Sequence, residues 1–124
     1  MVKSKFWSDK RVFITGHSGF TGSWMTFVLH HFGAKIYGLS LNEKNKNAAY
    51  NVLKIKQKLK GEALFDIRNM KKTSTFIKKI NPEIIFHLAA QPIVSEAYKN
   101  TSYTFQTNVI GTINLLDSCK NLNN

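Results

Sequence analysis

The feature that most constrains the fold is a glycine-rich stretch between a short apolar run and a longer amphipathic one. It reads Thr-Gly-His-Ser-Gly-Phe-Thr-Gly over residues 15–22. The preceding residues 11–15 are rich in apolar and β-branched side chains, which is typical of a buried strand. Residues 20–32 carry apolar side chains at helical spacing and stop before Gly33, a residue type that commonly ends a helix. This order predicts a strand, a tight turn and a helix, with turn amides that an anion can approach.

The spacing of the three glycines in this turn indicates what kind of anion it suits. The first amides of a helix have no intrahelical acceptor and carry a partial positive charge. Gly16 can take backbone angles closed to other residues, Gly19 has no side chain to hold a phosphate away from the amides, and Gly22 lets the helix lie close to the strand. Ordinary turn glycines are the alternative. The strand-turn-helix context favours a site for the pyrophosphate of NAD or NADP.

Alternation of short apolar runs with amphipathic ones continues along the chain. We predict strands at 11–15, 35–39, 62–65 and 83–88, helices at 20–32, 70–80 and 101–122, a less regular helix at 48–59, and a loop at 42–47. Strands that alternate with helices form a parallel sheet with helices on both faces. The fold class is therefore α/β, a Rossmann-type doubly wound parallel sheet. It is incomplete, because only the first four strands and their helices are present.

Residues 1–124 are expected to be the N-terminal part of an NAD(P)-binding Rossmann domain. In the strand order 3-2-1-4-5-6 the fourth strand would be an exposed edge, which is an aggregation liability. We therefore expect the chain to be a fragment of a longer protein, with the remaining strands and the substrate domain beyond residue 124.

Three further segments follow predicted strands or lie on the last helix. Asp66 comes directly after the third strand, where its carboxylate can accept a hydrogen bond from adenine or cap the next helix. The small residues after the fourth strand let the backbone pass beside a cofactor, and His87 is expected to be structural. The amide of Asn108 either fixes the neighbouring backbone, which we prefer, or meets the nicotinamide.

The end of the second strand usually separates NAD from NADP enzymes. An Asp or Glu there holds the ribose 2′-hydroxyl, and an Arg accepts a 2′-phosphate. Here the strand ends in Gly-Leu-Ser-Leu-Asn over 38–42, which offers neither. Both cofactors stay open on these residues.

Bulk composition argues against several other classes of protein. The net charge is +11, but 16 of the 18 basic residues are lysines and 12 residues are asparagines, a pattern typical of an AT-rich genome rather than of an arginine-bearing nucleic-acid site. We expect no nucleic-acid partner. No apolar run approaches the length of a membrane span, so no membrane association is expected. The single cysteine, Cys119, favours a reducing cytoplasmic setting.

Several motifs together resemble one family. They are Lys-Phe-Trp at 5–7, Lys-Arg-Val-Phe at 10–13, Thr-Gly-His-Ser-Gly-Phe-Thr-Gly-Ser-Trp at 15–24, Asp-Ile-Arg at 66–68, Pro-Glu-Ile-Ile-Phe-His-Leu-Ala-Ala-Gln-Pro at 82–92 and Thr-Asn-Val-Ile-Gly-Thr at 107–112. This set resembles the CDP-glucose 4,6-dehydratases, extended short-chain dehydrogenases/reductases that act on a nucleotide sugar. The last two motifs are shared with many sugar-nucleotide epimerases.

The resemblance implies a function and a set of binding residues. A member of the family converts CDP-glucose to CDP-4-keto-6-deoxyglucose, a precursor in polysaccharide biosynthesis, uses NAD as an internal hydride shuttle and is a homo-oligomer. An epimerase, a reductase or a non-catalytic dinucleotide-binding module are the alternatives, and no metal site is expected. The expected cofactor-binding residues are Gly16, His17, Gly19, Phe20, Thr21, Gly22, Asp66, Ile67, Leu88, Ala89, Ala90, Gln91 and Asn108.

The family's catalytic Tyr-x-x-x-Lys pair is expected to be absent from these residues. Tyr98 and Tyr103 are followed four positions later by Ser102 and Thr107 instead of lysine. We therefore expect every catalytic residue beyond residue 124, and no turnover by these 124 residues alone.

Overall fold

A computed structural model describes residues 4–123 and contains a single parallel sheet. Its strands are β1 (Arg11–Thr15), β2 (Lys35–Ser40), β3 (Gly61–Leu64) and β4 (Ile84–His87). Their order is β3-β2-β1-β4, and every neighbouring pair is parallel. Each crossover therefore passes through a helix or turn, as parallel pairing requires. The predicted α/β doubly wound fold is confirmed.

The helices lie between and after these strands. They are α1 (Phe20–His31), α2 (Ala49–Val52), α3 (Met70–Ile80), α4 (Val94–Lys99), α5 (Thr101–Phe105) and α6 (Gly111–Cys119). A 3₁₀ turn at Ile55–Lys58 follows α2, and a π-helical turn at Gln106–Ile110 joins α5 to α6. No helix in the described part of the chain is both long and apolar enough to span a membrane.

Alternate side chains of the buried strands supply a core on each face of the sheet. On one face, Phe13 and Leu39 pack with Ile77 of α3 and Leu115 of α6. On the other face, Val12, Ile14 and Ile36 pack with Leu29 of α1 and Ala34. Burial on both faces explains why these strands read as continuous apolar runs. The carboxyl ends of the parallel strands meet at one edge of the sheet, where the candidate site lies.

Two predicted helices differ from those observed. The predicted helix at 48–59 is broken because Lys54 takes a left-handed conformation, with φ of 51°. The predicted helix at 101–122 begins at Thr101 as expected, but it contains the π-helical turn and ends at Cys119. At that turn the Asn108 side chain bonds the backbone of Gln91. The short helix α4 was not predicted.

Candidate functional site

A cleft of about 410 Å³ opens at the carboxyl ends of all four strands. In open α/β sheets this edge, beside the point where the strand order reverses, is where ligands bind. Its walls come from the glycine-rich turn, the ends of β2 and β3, the segment after β4, and the last helical segment. The lining residues are Gly16, Ser18, Gly19, Phe20, Thr21, Gly22, Leu39, Ser40, Leu41, Phe65, Asp66, Ile67, Leu88, Ala89, Ala90, Pro92, Tyr103 and Thr107.

The glycine-rich turn is folded so tightly that two of its glycines cannot be replaced without a clash. Gly16 has a φ of 74°, and a Cβ there would lie 2.7 Å from the amide nitrogen of Ala89. A Cβ on Gly22 would overlap the carbonyl oxygen of Gly16 and the Cα of His17. The turn therefore closes against both the segment after β4 and the first turn of α1.

The amides at the start of α1 have no hydrogen-bond partner among the residues that the structure describes. The N-cap of α1 is Gly19, which has no side chain to cap the helix, and the first turn carries no acidic residue. Within residues 4–123, no acceptor is hydrogen-bonded to the backbone N–H groups of Phe20, Thr21 or Gly22. Since these groups lie at the positive end of the helix dipole, they form a site that favours an anion.

His17 turns away from the cleft, although it belongs to the same turn. Its side chain is fully buried, and its Nε2 lies 2.7 Å from Oε1 of Glu62. The same oxygen accepts a hydrogen bond of 2.6 Å from the hydroxyl of Tyr50. The imidazole packs over Gly38, where a Cβ would lie only 2.5 Å from the ring. Only the backbone of His17 is therefore left for a ligand.

His87 links β4 to β1 and α6 through both ring nitrogens. Thr112 donates its hydroxyl proton to the carbonyl of Asn108, so it accepts from His87 Nε2 at 2.9 Å. The Nδ1 of His87 then accepts from the hydroxyl of Thr15 at 2.6 Å. Burial lowers the pKa of His87, which agrees with a neutral ring protonated on Nε2. The arrangement agrees with the structural role expected for this residue.

Asp66 lies at the cleft but does not cap a helix. Its carboxylate accepts from the backbone N–H of Arg68 at 2.9 Å and from the guanidinium of Arg68 at 2.7 Å. The helix that follows is capped instead by Asn69, whose side chain accepts from the amide of Lys72 at 3.1 Å. The capping interpretation of Asp66 is therefore wrong. The guanidinium of Arg68 lowers the pKa of Asp66, so the carboxylate is an acceptor without a proton.

Gln91 and Asn108 are brought together beside the cleft and do not line it. Asn108 accepts from the backbone N–H of Gln91 at 2.7 Å and donates to its carbonyl at 3.2 Å. The Gln91 side chain bonds the backbone of Ile93 and the hydroxyl of Thr104. These contacts match the preferred interpretation of Asn108, in which its amide fixes the neighbouring backbone.

The end of β2 forms the wall of the cleft nearest to the turn. The hydroxyls of Ser18 and Ser40 both donate to the carbonyl of Leu41, at 3.2 and 3.0 Å. Among the lining residues, those not expected from the sequence to bind the cofactor are Ser18, Leu39, Ser40, Leu41, Phe65, Pro92, Tyr103 and Thr107. Ser18 and Pro92 adjoin predicted residues, whereas Tyr103 and Thr107 reach the cleft only because of the way the last helical segment packs.

A Tyr-x-x-x-Lys spacing does occur at Tyr50 and Lys54, and sequence reasoning missed it. Tyr50 is buried, donates to Glu62 and does not line the cleft. Burial and the Glu62 carboxylate raise the pKa of Tyr50, the opposite of what proton transfer from a tyrosine near neutral pH requires. The described residues also contain no group of three or more His, Cys, Asp or Glu side chains that could hold a metal ion.

Comparison with known proteins places this geometry in a family. Residues 13–124 match the family described as GDP-mannose 4,6 dehydratase. The chain is 37% identical over 124 residues to the CDP-glucose 4,6-dehydratase of Salmonella typhimurium, covering all of this chain and 34% of that protein. It is 34% identical over 113 residues to the UDP-glucose 4-epimerase of Mycoplasma genitalium, covering 90% of this chain and 32% of that protein.

Solved structures share the fold. Pal from Bacillus thuringiensis matches with a TM-score of 0.81 and 26% identity, over 90% of this chain and 36% of that one. The UDP-glucose 4-epimerase of Brucella ovis, solved in complex with NAD, matches with a TM-score of 0.74 and 24% identity, over 89% of this chain and 32% of that one. At that identity the second likeness concerns the fold alone.

The chain spans about one third of the length of the curated relatives it matches. Within that third, the family match extends from β1 to the end of the last helix. On this evidence the chain belongs to the GDP-mannose 4,6 dehydratase family of nucleotide-sugar dehydratases and epimerases.

Proposed function

We propose that this chain is the NAD-binding portion of a nucleotide-sugar 4,6-dehydratase that acts on CDP-glucose. The observation that carries the proposal is the row of unpartnered amides at Phe20, Thr21 and Gly22, which faces a cleft at the carboxyl edge of the sheet. The choice of CDP-glucose rests on the 37% identity to the Salmonella enzyme over the full chain. The substrate domain and the remaining strands would follow residue 124.

The cleft fits a dinucleotide in shape and in charge. The absence of side chains at Gly16 and Gly22 lets the turn pack against the segment after β4 and against itself, which leaves the first amides of α1 beside the cleft, where they can bind a phosphate. The volume of about 410 Å³ is within the range of small-molecule sites. The lining at the end of β2 is neutral, so it supplies neither the carboxylate typical of NAD sites nor the arginine typical of NADP sites. The preference for NAD comes from the relatives.

The chain's own residues would bind and orient the cofactor. The turn at 16–22 would hold the pyrophosphate, with Phe20 over the cofactor and the backbone of His17 beside it. Asp66 and Ile67 would flank the adenine. Leu88, Ala89 and Ala90 would line the path to the nicotinamide, on a segment whose backbone Asn108 holds through Gln91.

Bound NAD would supply reversible hydride transfer, taking the hydride from C4 of the sugar and returning it to C6 after water is lost across C5 and C6. His87 would take no part in proton transfer, because both of its ring nitrogens are engaged in hydrogen bonds within the protein. The acid and base groups would come from downstream sequence. The 124 residues alone would therefore bind cofactor without turning over substrate.

Calorimetric titration of the chain with NAD tests the binding part of this proposal. We expect one site, weakened at least about tenfold by Gly19→Ala, because a methyl group there lies between the amides and the pyrophosphate. Gly61→Ala, which sits at the far edge of the sheet on β3, is the matched control and should bind as the wild type does. Absence of NAD and NADP binding by a folded chain would refute the proposal.

The full-length protein tests the reaction. Incubation with CDP-glucose should give a product lighter by one water, with no net reduction of added NAD. The 34% identity to a UDP-glucose 4-epimerase makes epimerisation the second candidate. Epimerisation would instead yield a product of unchanged mass, from UDP-glucose or another nucleotide sugar. Binding of NAD with neither product would indicate a non-catalytic dinucleotide-binding module.

A further inference from the structure

Arg68 bonds to groups on two walls of the cleft, at the end where Asp66 lies. Its Nε is 3.0 Å from each carboxylate oxygen of Asp66, and its Nη2 is 2.7 Å from Oδ2. Its guanidinium lies over the ring of Tyr103, with the central carbon 4.9 Å from the ring centroid. Its Nη1 donates to Oε1 of Gln106 at 3.3 Å. Arg68 therefore joins the segment after β3 to the last helical segment.

These bonds determine what Asp66 can offer to a ligand. The Nε hydrogen is shared between Oδ1 and Oδ2, while Oδ1 also accepts from the backbone N–H of Arg68 and Oδ2 also accepts from Nη2. Three N–H donors of Arg68 thus meet a carboxylate with about four acceptor positions, so Asp66, which lines the cleft, keeps one for a ligand. Because arginine stays protonated, the carboxylate beside it stays ionised and can accept but not donate.

The contact with Tyr103 sets the direction of the guanidinium plane. Tyr103 also lines the cleft, and the stacked and bidentate contacts of Arg68 cannot both be made by lysine. The residue is about one third exposed, so the ion pair with Asp66 would contribute little to overall stability. Its effect would fall on the geometry of the site.

We propose that Arg68 is a positioning residue that keeps Asp66 as an acceptor aimed into the cleft, and thereby makes this end of the site select a purine with a 6-amino group over one with a 6-keto group. The inference rests on the proposed function, since it takes a dinucleotide as the ligand. A 6-amino group donates a hydrogen bond to the free acceptor of Asp66. A 6-keto group would place its own oxygen against the carboxylate, leaving two acceptors unpaired.

Binding of NAD and of nicotinamide hypoxanthine dinucleotide, which carries the 6-keto group, tests this inference by calorimetry. The wild-type chain should prefer NAD by about tenfold or more. Arg68→Met should bring the ratio of the two affinities close to one, and Arg68→Lys should give an intermediate ratio. Lys72→Met removes another cation from the same end, one that lies over Phe65, and should leave the ratio unchanged.

The outcomes separate this inference from the proposed function. If the wild type binds neither dinucleotide, the proposed function fails and the role of Arg68 fails with it. If the wild type binds NAD but Arg68→Met weakens both dinucleotides equally, Arg68 is only structural and this inference alone is refuted. Should the Arg68 variants not fold, Asp66→Asn tests the acceptor on which the inference depends, because an amide can accept from one base and donate to the other. A ratio of affinities that stayed at the wild-type value would refute the inference.

Discussion

The glycines of the first turn differ in what a side chain at each position would contact. At Gly22 a Cβ would overlap backbone atoms of the same turn, whereas at Gly19 it would lie 3.3 Å from the Gly16 carbonyl oxygen, a contact that a small shift relieves. Gly19 also has φ and ψ of −71° and 173°, which other residues adopt freely. The fold therefore requires glycine at position 22, whereas the backbone conformation at position 19 does not require it.

This difference predicts losses of stability of unequal size for two similar substitutions. Gly22→Ala should lower the free energy of unfolding by about 3 kcal/mol, because backbone must move to admit the methyl group. Gly19→Ala should cost about 1 kcal/mol or less, since alanine is a poorer N-cap than glycine. Thermal or denaturant unfolding measures both. Equal losses of stability would contradict the assignment.

The environment of His87, also at the residue scale, predicts that the stability of the folded protein decreases in acid. Its pKa is lowered in the folded protein from an ordinary value of 6.5, so the unfolded chain binds this proton more readily. The stability that His87 contributes is fully present above about pH 6.5 and is lost as the pH falls through the folded-state pKa.

The measurement is the free energy of unfolding at a series of pH values from about 7.5 to about 5, because histidines titrate in this range. His87→Gln should flatten part of the acid-side decline, whereas His30→Gln, at an exposed site on α1, should leave it in place. Identical pH profiles for the wild type and His87→Gln would show that this imidazole does not titrate differently in the two states.

At the scale of the element, the start of α3 shows how neighbouring polar residues divide their roles. Asp66 and Asn69 both precede the helix, and both have side chains that can cap one. Arg68 engages Asp66, so Asn69 is the residue that accepts from Lys72. Because the pairing of Asp66 depends on Arg68 and Tyr103, the choice of cap could not be read from local sequence.

Removal of this cap gives a prediction for α3. Asn69→Ala should destabilise the protein by about 1 kcal/mol, and Asn69→Ser, which can still accept from the helix amide, should recover most of that loss. NAD affinity should be unchanged by either substitution. Chemical denaturation followed by far-ultraviolet circular dichroism measures the effect, and a larger loss for Asp66→Ala than for Asn69→Ala would return the capping role to Asp66.

For the whole molecule, the distribution of apolar surface is the notable property. Phe105, Val109, Ile113 and Leu116 follow one side of the segment from α5 to α6, and all four are exposed. Their spacing is that of one helix face. A continuous exposed apolar stripe promotes association, while the scattered lysines of a chain with a net charge of +11 oppose it.

We expect the isolated chain to self-associate through this stripe. The double variant Phe105→Gln and Leu116→Gln should lower its weight-average mass in sedimentation equilibrium and its binding of an apolar fluorescent dye. Val52→Gln alters a residue of comparable exposure, 66% against 63% for Phe105, outside the stripe and should change neither. A wild-type chain that stays monomeric at every concentration would contradict the prediction.

The order of strands and helices was predictable because it depends on local information. Apolar runs, helical spacing and turn glycines lie within a few residues of one another, and the parallel order of four strands follows from their alternation with helices. The cleft position follows from the same topology. The predicted strand bounds therefore differ from those observed by at most one residue at either end.

Sequence alone thus determined the doubly wound sheet, the glycine turn and most of the residues that line the cleft. Only the tertiary structure decided that His17 is buried against Glu62 and Gly38, that Asp66 pairs with Arg68, and that Tyr103 reaches the cleft. The physical reason is the separation along the chain of the residues that determine each property. Backbone conformation responds to neighbours in sequence, whereas a side chain's direction is set by charges and volumes brought to it from distant segments.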